Sequence, residues 1–339
     1  ETIGSRFKLG EKCSFDDIDI SKDYLKSIDK IFIVACGTAM HAGLVGKMVF
    51  EKLCRIPTEV DIASEFRYRD PIVNEKSLCI FVSQSGETAD TLAALRLSKE
   101  KGAKTLAISN VIGSTITREA DYTIYTHAGP EIAVASTKAY TSQVCLIAIL
   151  GMYFAEILGS CPEDTIANLK SNILDLPSKI DVVLSEAGKV KEFADKVYTQ
   201  KDMFFLGRGT DYDVALEGSL KLKEISYIHS EAYAAGELKH GPIALIENGV
   251  TVIGIITSKE LAPKSISNIQ EVITRGAKTL IITNQILPNN NFNYVINIPD
   301  TNELISPILS VIPLQLLSYY ISKNKGLDVD KPRNLAKSV

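Results

Sequence analysis

The segment SLCIFVSQSGETADTLAALRLSKEKGA (residues 77–103) decides the fold class of this 339-residue chain. It begins with an apolar run from Leu78 to Val82, and a helix-length amphipathic stretch follows. A buried strand that leads directly into an amphipathic helix is the repeating element of α/β proteins. The junction, Ser83-Gln84-Ser85-Gly86-Glu87-Thr88, carries more side-chain hydroxyls than a helix cap requires.

The strand pattern occurs twice along the chain. Four segments of the first half have counterparts in the second: IFIVACGT (31–38) and MFFLGRGT (203–210), SLCIFVSQS (77–85) and GVTVIGIITS (249–258), GAKTLAISN (102–110) and GAKTLIITN (276–284), DYTI (121–124) and NYVI (293–296). The offset is nearly constant, 172 residues between Thr38 and Thr210 and 174 between Gly102 and Gly276. We therefore predict an internal duplication with an α/β fold, in which two tandem doubly wound domains each hold a parallel sheet. The predicted boundaries are a first domain at 1–160, a helical connector at 161–200, a second domain at 201–325 and a tail at 326–339.

Composition excludes several classes of function. The net charge of −4 gives no basic surface for nucleic acid or an anionic membrane. The longest apolar run, 144–155, is too short to span a bilayer. Six dispersed cysteines without a C-x-x-C pair predict thiols of a reducing, cytoplasmic compartment, and no metal site or cofactor is expected. The first residue is Glu, so we expect the chain to be a piece of a longer protein.

The junction at 83–88 predicts a phosphate site. In doubly wound sheets ligands bind beyond the carboxyl ends of the strands. A helix start there offers free N–H groups and a partial positive charge, to which the hydroxyls and the Gln84 amide add donors. A plain N-cap is the alternative, and spacing alone leaves both open. The counterpart ITSKELAP (256–263) has lost the pattern, which favours one phosphate site per chain.

Acid–base residues are concentrated in the second half. DVALEGSLKLKEISYIHS (213–230) predicts a helix with Glu217, Lys221 and Glu224 on one face, although an exposed salt-bridged stripe is the commoner meaning of this spacing. His240, in a Lys-His-Gly-Pro loop, suits proton transfer near neutral pH, and a loop histidine bonded to backbone is its alternative. Ser136-Thr137-Lys138, before an apolar helix, could cap that helix or hold a ligand.

Five motifs together resemble one family. They are CGTAMHAG, SQSGETADT, AGPEIAVASTKAYTSQ, EISYIHSEAYAAGELKHGP and DVDKPRNLAKSV. They are similar to the isomerase half of the glucosamine-6-phosphate synthases, also called glutamine:fructose-6-phosphate amidotransferases. That half consists of two flavodoxin-like sugar-isomerase (SIS) domains. The resemblance runs from about residue 30 to the end; SQSGET alone is typical of SIS proteins generally, whereas GELKHGP and PRNLAKSV are more specific.

The resemblance implies a role for each site residue. The residues that would bind the substrate are Ser83, Gln84, Ser85 and Thr88 at the phosphate, with Thr38, Ser136 and the backbone of Val134 at the sugar. Glu224 would move the proton between C1 and C2, and Lys221 would assist at the neighbouring oxygens. His240 would open the ring, and Lys337 on the tail would close over the substrate. The family usually has Ser where this chain has Ala39, which removes one polar contact.

The resemblance also implies the reaction and the partners. The chain would bind fructose-6-phosphate, glucose-6-phosphate and glucosamine-6-phosphate and interconvert the two hexose phosphates. The whole enzyme would form glucosamine-6-phosphate with ammonia from an N-terminal glutaminase domain, which we do not expect in this chain, in the first step of hexosamine synthesis. In the family the histidine comes from the partner subunit, which implies a homodimer.

Two further expectations follow from the resemblance. Eukaryotic members are inhibited by UDP-N-acetylglucosamine (UDP-GlcNAc), and NVIGSTITREAD (110–121) is a hypothetical surface for that inhibitor. The alternatives for the function are another SIS sugar-phosphate isomerase or deaminase, and a sugar-phosphate sensor without turnover. Retention of Glu224, Lys221 and His240 together favours the enzyme over the sensor.

Overall fold

A computed structural model describes residues 1–4, 6–15, 18–288 and 291–337. The chain forms two compact units. Unit 1 comprises Glu1–Ile132, Ser136–Leu174 and the end of the chain from Ala336, and unit 2 comprises Ala133–Ala135 and Asp175–Leu335. The connector predicted at 161–200 is helical, and the division between the units falls within it, after Leu174.

Unit 1 holds a five-stranded parallel sheet in the order β2-β1-β3-β4-β5. Its strands are β1 Lys30–Ala35, β2 Thr58–Ile62, β3 Ser77–Ser83, β4 Lys104–Ser109 and β5 Tyr122–Tyr125. Its helices are α1 Lys22–Ser27, α2 Gly37–Leu53, α3 Ala63–Phe66, α4 Ala89–Glu100, α5 Thr115–Glu119, α6 Lys138–Leu158 and α7 Glu163–Leu174. Every residue of β3 is buried, because helices cover both faces of a parallel sheet.

Helix α6 is longer than the apolar run that marks it in the sequence. It extends from Lys138 to Leu158, and by length and composition alone it could cross a membrane. However, 67% of its most apolar window is buried inside the protein, as is usual for a core helix. It packs along α2 within unit 1.

Unit 2 repeats the architecture. Its strands are β6 Asp202–Gly207, β7 His229–Ala234, β8 Thr251–Ile256, β9 Lys278–Thr283 and β10 Tyr294–Asn297, in the parallel order β10-β9-β8-β6-β7. Its helices are α8 Leu176–Ser185, α9 Ala187–Val197, α10 Thr210–Ser226, α11 Ala262–Ile273 and α12 Ser306–Asn324, with short 3₁₀ helices at Leu238–His240 and Pro242–Leu245. Corresponding strands therefore occupy corresponding places in the two sheets.

The strand registers confirm the predicted duplication. Ile31 of β1 lies opposite Leu78 of β3, and its equivalent Met203 of β6 lies opposite Thr251 of β8. The next pairs along the sheets, β3 with β4 and β8 with β9, match in the same way. The prediction of two tandem doubly wound α/β domains is confirmed.

One local prediction is wrong. The helix predicted over 213–230 ends at Ser226, and Tyr227 adopts a left-handed conformation (φ 59°) at its C-cap. Residues 229 and 230 belong to β7, the edge strand beside β6. The backbone thus turns from the helix directly into the sheet, and the helix, which begins at Thr210, ends about one turn earlier than expected.

Candidate functional site

The loop between β3 and α4 in unit 1 is built around Gly86. Gly86 has φ +70°, and a Cβ at this position would lie 2.1 Å from the Ser114 hydroxyl oxygen. Its N–H donates to Ser83 Oγ over 3.0 Å, and its carbonyl accepts the N–H of Ile116 over 3.0 Å. The buried Ser83 therefore fixes the turn, and only glycine fits at its centre.

The remaining hydroxyls of this loop do not cap α4. Thr88 is the N-cap residue, but its side chain makes no hydrogen bond to the first turn of the helix. Its Oγ1 instead lies 3.2 Å from Ser83 Oγ. Gln84, Ser85 and Thr88 are each half-buried, and Ser85 Oγ accepts the N–H of Glu87 over 3.2 Å. A helix start with unused N–H groups beside clustered hydroxyls is suited to bind an anion.

Three further predicted residues also lie in unit 1. Thr38 is half-buried in the first turn of α2, directly after the carboxyl end of β1. Ser136 is half-buried two residues before α6. Lys337 Nζ lies 3.9 Å from Glu131 Oε2, while Glu131 Oε1 accepts the N–H of Thr137 over 2.7 Å. The buried Glu131 carboxylate, which the sequence analysis did not single out, therefore contacts both the tail lysine and the segment that carries Ser136.

The alternative that residues 136–138 cap α6 does not hold in the structure. Thr137 occupies the N-cap position without a side-chain hydrogen bond to the helix. Lys138 Nζ donates to the carbonyl of Pro130 over 2.6 Å, so this side chain secures the preceding loop. Capping of α6 therefore does not explain the presence of a serine at position 136.

Unit 2 contains a buried triad of charges on α10. Lys221 Nζ lies 2.5 Å from Glu224 Oε2 and 3.5 Å from Glu217 Oε1. The side chains of Glu217 and Lys221 are 0% and 2% exposed, and that of Glu224 is 22% exposed. The alternative interpretation, an exposed stripe of salt bridges, is therefore wrong. The Glu217 and Lys221 side chains lie in the interior, and of the three only Glu224 reaches solvent.

The triad sets the charge of its lysine. Burial by itself lowers the pKa of Lys221, but the carboxylates of Glu217 and Glu224 outweigh this effect and raise the pKa above its usual value. Lys221 is thus held as an ammonium ion beside Glu224. This arrangement supplies a carboxylate that can accept a proton and a fixed cation next to it.

Close packing brings α10 into the interior. A Cβ on Gly218 would lie 2.5 Å from Leu314 Cδ1 of α12, so glycine lets the two helices approach. The helix ends where Tyr227 N–H donates to the carbonyl of Lys223. The Glu224 side chain is consequently presented in the last turn, near the surface of the unit.

His240 lies at the end of the 3₁₀ helix Leu238–His240, and its side chain is exposed. Its backbone N–H donates to the carbonyl of Glu237 over 2.9 Å, and the buried Leu238 anchors the loop. Within the described part of the chain, the imidazole ring has no hydrogen-bond or ion-pair partner. The alternative for His240, a loop histidine whose ring is hydrogen-bonded to backbone, is therefore not observed.

Val134 and the tail meet in unit 2. The Val134 N–H donates to the carbonyl of Asp330 over 3.0 Å, so only its carbonyl remains for a sugar. The Arg333 guanidinium lies 4.2 Å from the centre of the Tyr227 ring, and the backbone N–H of Arg333 donates to the Tyr227 hydroxyl over 2.7 Å. The described part of the tail ends at Lys337, which pairs with Glu131, and Ser338 and Val339 lie outside the described residues. Closure of the tail over the substrate stays a prediction.

The model of the SIS domain family matches residues 24–153 and 196–322, which include both parallel sheets. The chain belongs to the SIS family. Each SIS domain contributes one of the two groups of polar residues described above: the hydroxyl-rich loop in the first and the charged triad in the second.

The relatives of this SIS chain agree with the resemblance seen in the sequence. It is 57% identical over its whole length to a glutamine–fructose-6-phosphate aminotransferase (isomerizing) from Clostridium perfringens, of which it covers 56%. The C-terminal domain of glucosamine-fructose-6-phosphate aminotransferase from Francisella tularensis is 39% identical with a TM-score of 0.92, and the match covers 98% of this chain and 94% of that one. Glucosamine-6-phosphate deaminase from Thermotoga maritima is 25% identical with a TM-score of 0.77, covering 94% and 95%. The chain spans about half the length of the curated relatives it matches.

One residue of the second SIS domain escaped the sequence analysis. Asp211, in the first turn of α10, is 2% exposed and bonded to Thr257. An acidic residue in the first turn of a helix is common, because it complements the helix dipole, so it carries no signal of its own. Comparison of the two copies could have pointed to it, because Asp211 aligns with Ala39 and the two copies therefore differ in charge at this position.

Proposed function

We propose that the chain is the isomerase part of a glutamine–fructose-6-phosphate aminotransferase. Unit 1 binds the phosphate of fructose-6-phosphate, and unit 2 transfers a proton between C1 and C2 of the sugar. The observation that supports this most strongly is the Lys221–Glu224 contact of 2.5 Å within a buried triad. The substrate is inferred from relatives of the chain: the names of those with 57% and 39% identity both contain fructose-6-phosphate.

The triad suits a ketose–aldose conversion. The reaction removes a proton from C1 and returns one at C2, which one carboxylate can do. Negative charge develops on the neighbouring oxygens as the enediol or enolamine forms. Lys221, kept as an ammonium ion by its two carboxylates, stabilises that charge electrostatically from its buried position beside Glu224. Glu224 is the partly exposed carboxylate of the triad and is therefore the base that a substrate can reach.

The other residues position the substrate. The hydroxyls of Ser83, Ser85 and Thr88 and the start of α4 hold the phosphate as a handle that does not react, which lowers the entropic cost of aligning C1 and C2. His240, whose ring has no protein partner among the described residues, protonates or deprotonates the ring oxygen and opens the sugar. Thr38, Ser136, the Val134 carbonyl and Lys337 complete the sugar contacts.

Turnover separates this proposal from its two alternatives. Purified protein is given fructose-6-phosphate without glutamine, and glucose-6-phosphate is followed with glucose-6-phosphate dehydrogenase. We expect saturable formation of glucose-6-phosphate. Binding of fructose-6-phosphate without product would identify a sensor, and release of ammonia from glucosamine-6-phosphate as the main activity would identify a deaminase; either result contradicts the proposal.

Thr88→Val distinguishes a phosphate contact from a helix cap. Because the Thr88 side chain does not cap α4, the free energy of unfolding should fall by no more than about 1 kcal/mol, from loss of the contact with Ser83 Oγ, whereas affinity for glucose-6-phosphate should fall about tenfold with the lost phosphate hydrogen bond. Ser21→Ala is the matched control, since Ser21 Oγ accepts the N–H of Tyr24 at the start of α1. Its loss should cost about 1 kcal/mol of stability and leave binding unchanged. Chemical denaturation and calorimetric titration measure both; a Thr88→Val variant that loses stability but not affinity contradicts the assignment.

We propose further that the active unit is a homodimer in which His240 serves the partner's site. Co-expressed Glu224→Gln and His240→Asn subunits then form mixed dimers in which one site carries both changes and the other carries neither. Random assortment should restore about a quarter of wild-type activity, because half of the dimers are mixed and each has one intact site. Mixtures that stay as inactive as either variant alone would show that Glu224 and His240 act within one subunit. Regulation by UDP-GlcNAc through residues 110–121 stays a prediction from the resemblance.

A further inference from the structure

The loop after β8 in unit 2 is the structural counterpart of the phosphate loop in unit 1. Ser83, at the end of β3, pairs with Ser109 of β4, and Ile256, at the end of β8, pairs with Thr283 of β9. Thr257 and Ser258 therefore stand where Gln84 and Ser85 stand in the first copy. A helix follows each loop, α4 in unit 1 and α11 in unit 2. The backbone framework for holding an anion is present twice.

A carboxylate of the protein already occupies the framework in unit 2. Asp211 Oδ2 accepts the N–H of Thr257 over 2.8 Å, and Oδ1 accepts the Thr257 hydroxyl. The backbone N–H of Ser258 also favours the ionised form of this carboxyl group and lowers its pKa. Asp211 is 2% exposed and comes from a different element, the first turn of α10. Two oxygens of a buried anion thus receive the donors that a phosphate would receive at such a loop.

The charge state of Asp211 agrees with this role. Burial raises the pKa of its carboxyl group to about 6, and the hydrogen bonds from Thr257 and Ser258 limit that rise by stabilising the anion. The donors of the loop thus favour the ionised form of this carboxyl group. It accepts from the loop rather than from the N–H groups of its own helix, so it is not simply a first-turn acidic residue.

Among the described residues of unit 1, no carboxylate accepts a hydrogen bond from the backbone of Gln84 or Ser85. Gly37-Thr38-Ala39 follow β1 at the same distance as Gly209-Thr210-Asp211 follow β6, so Ala39 is the counterpart of Asp211. A methyl group can neither accept a hydrogen bond nor fill the volume of a carboxylate. Nothing at this position competes with an external anion for the loop at 83–88.

We propose that the residue at this helix position decides which copy binds phosphate: Asp211 fills the anion place in unit 2, and Ala39 leaves it open in unit 1. The inference rests on the proposed function insofar as that function puts the substrate phosphate on the loop of unit 1. It explains why a duplicated fold keeps one phosphate site, and it makes position 39 a determinant of substrate binding although alanine offers no polar contact.

Substitutions at position 39 test the inference in unit 1. Ala39→Asp places a carboxylate where the phosphate binds, and Ala39→Asn adds the same volume without the charge. We expect the dissociation constant of inorganic phosphate, measured by calorimetric titration, to rise about a hundredfold for Asp and less than about tenfold for Asn, because like charges disfavour each other strongly in a partly desolvated site. Wild-type affinity in Ala39→Asp, or equal losses in the two variants, would overturn the inference.

Asp211→Ser tests it in unit 2. Removing the carboxylate frees the Thr257 and Ser258 donors, so inorganic phosphate should bind with two equivalents per chain instead of one. Asp211→Asn, whose amide oxygen can still accept from the loop, should keep one. A folded Asp211→Ser protein that binds one equivalent contradicts the inference, and should that variant fail to fold, the position 39 series decides. A wild-type protein that binds no phosphate refutes the proposed phosphate site itself, which is a separate outcome.

Discussion

Replacing Glu224 by glutamine should abolish isomerisation and leave sugar-phosphate binding intact. An amide cannot take the proton from C1, so kcat for conversion of fructose-6-phosphate to glucose-6-phosphate should fall about 10³-fold, in the range for loss of a general base. The dissociation constant of fructose-6-phosphate should change little, because the phosphate is held in unit 1. The dehydrogenase-coupled assay and calorimetric titration measure the two quantities on the same protein.

Glu217→Gln is the matched control on the same helix. Glu217 lies two turns before Glu224, is 0% exposed and contacts the same lysine at 3.5 Å. Removing one charge from a buried group of ions should cost several kcal/mol of stability. Its kcat should fall far less than that of Glu224→Gln, since Glu217 cannot reach a substrate. If Glu224→Gln isomerises at the wild-type rate, or if both variants lose kcat equally, Glu224 is not the base.

Gly86→Ala should remove substrate binding. Its φ of +70° is strained for any residue with a side chain, and a Cβ would lie 2.1 Å from Ser114 Oγ and 2.5 Å from Ser114 Cβ. The turn must therefore shift, and with it the N–H groups and hydroxyls that hold the phosphate. We expect the dissociation constant of glucose-6-phosphate to rise at least about a hundredfold, since several hydrogen bonds of about 1 kcal/mol are lost together. The unfolding free energy should fall by about 2 to 3 kcal/mol from strain and clash.

Gly113→Ala separates backbone strain from collision. Gly113 has nearly the same φ, +72°, but a Cβ there would meet nothing within 4 Å. Gly113→Ala should lower the free energy of unfolding by about 1 kcal/mol and leave the affinity for glucose-6-phosphate unchanged. If the two glycine variants show the same affinity, the shape of the loop at Gly86 does not determine phosphate binding.

The sequence predicts the central strands of both sheets and the edge strands β5 and β10, but it misses the opposite edge strands, β2 and β7. The strands that were recognised, such as β3 and β9, are buried on both faces and stand out as apolar runs. The edge strands β2 (TEVDI) and β7 (HSEAYA) are mostly half-buried and carry charged residues, so no apolar run marks them. The end of α10 was missed for a related reason: its left-handed C-cap residue is Tyr227, where glycine would have given the signal.

The candidate site was found in part for similar reasons. Helical spacing puts Glu217, Lys221 and Glu224 on one face, but it does not show whether that face is exposed. The answer depends on α12, whose Leu314 packs against Gly218 almost a hundred residues earlier in the chain. Asp211 depends in the same way on Thr257, 46 residues distant. Contacts between distant segments depend on tertiary packing, and they cannot be predicted from the local pattern of the sequence.

The loop at 83–88 is expected to be the one phosphate site of the chain, and the proposed roles of both units depend on it. A crystal structure with glucose-6-phosphate at saturating concentration tests this directly. It should show the phosphate within hydrogen-bond distance of Ser83, Ser85 and Thr88 in unit 1, with Asp211 still bonded to Thr257 in unit 2. A phosphate bound elsewhere while the loop at 83–88 stays empty would contradict the account.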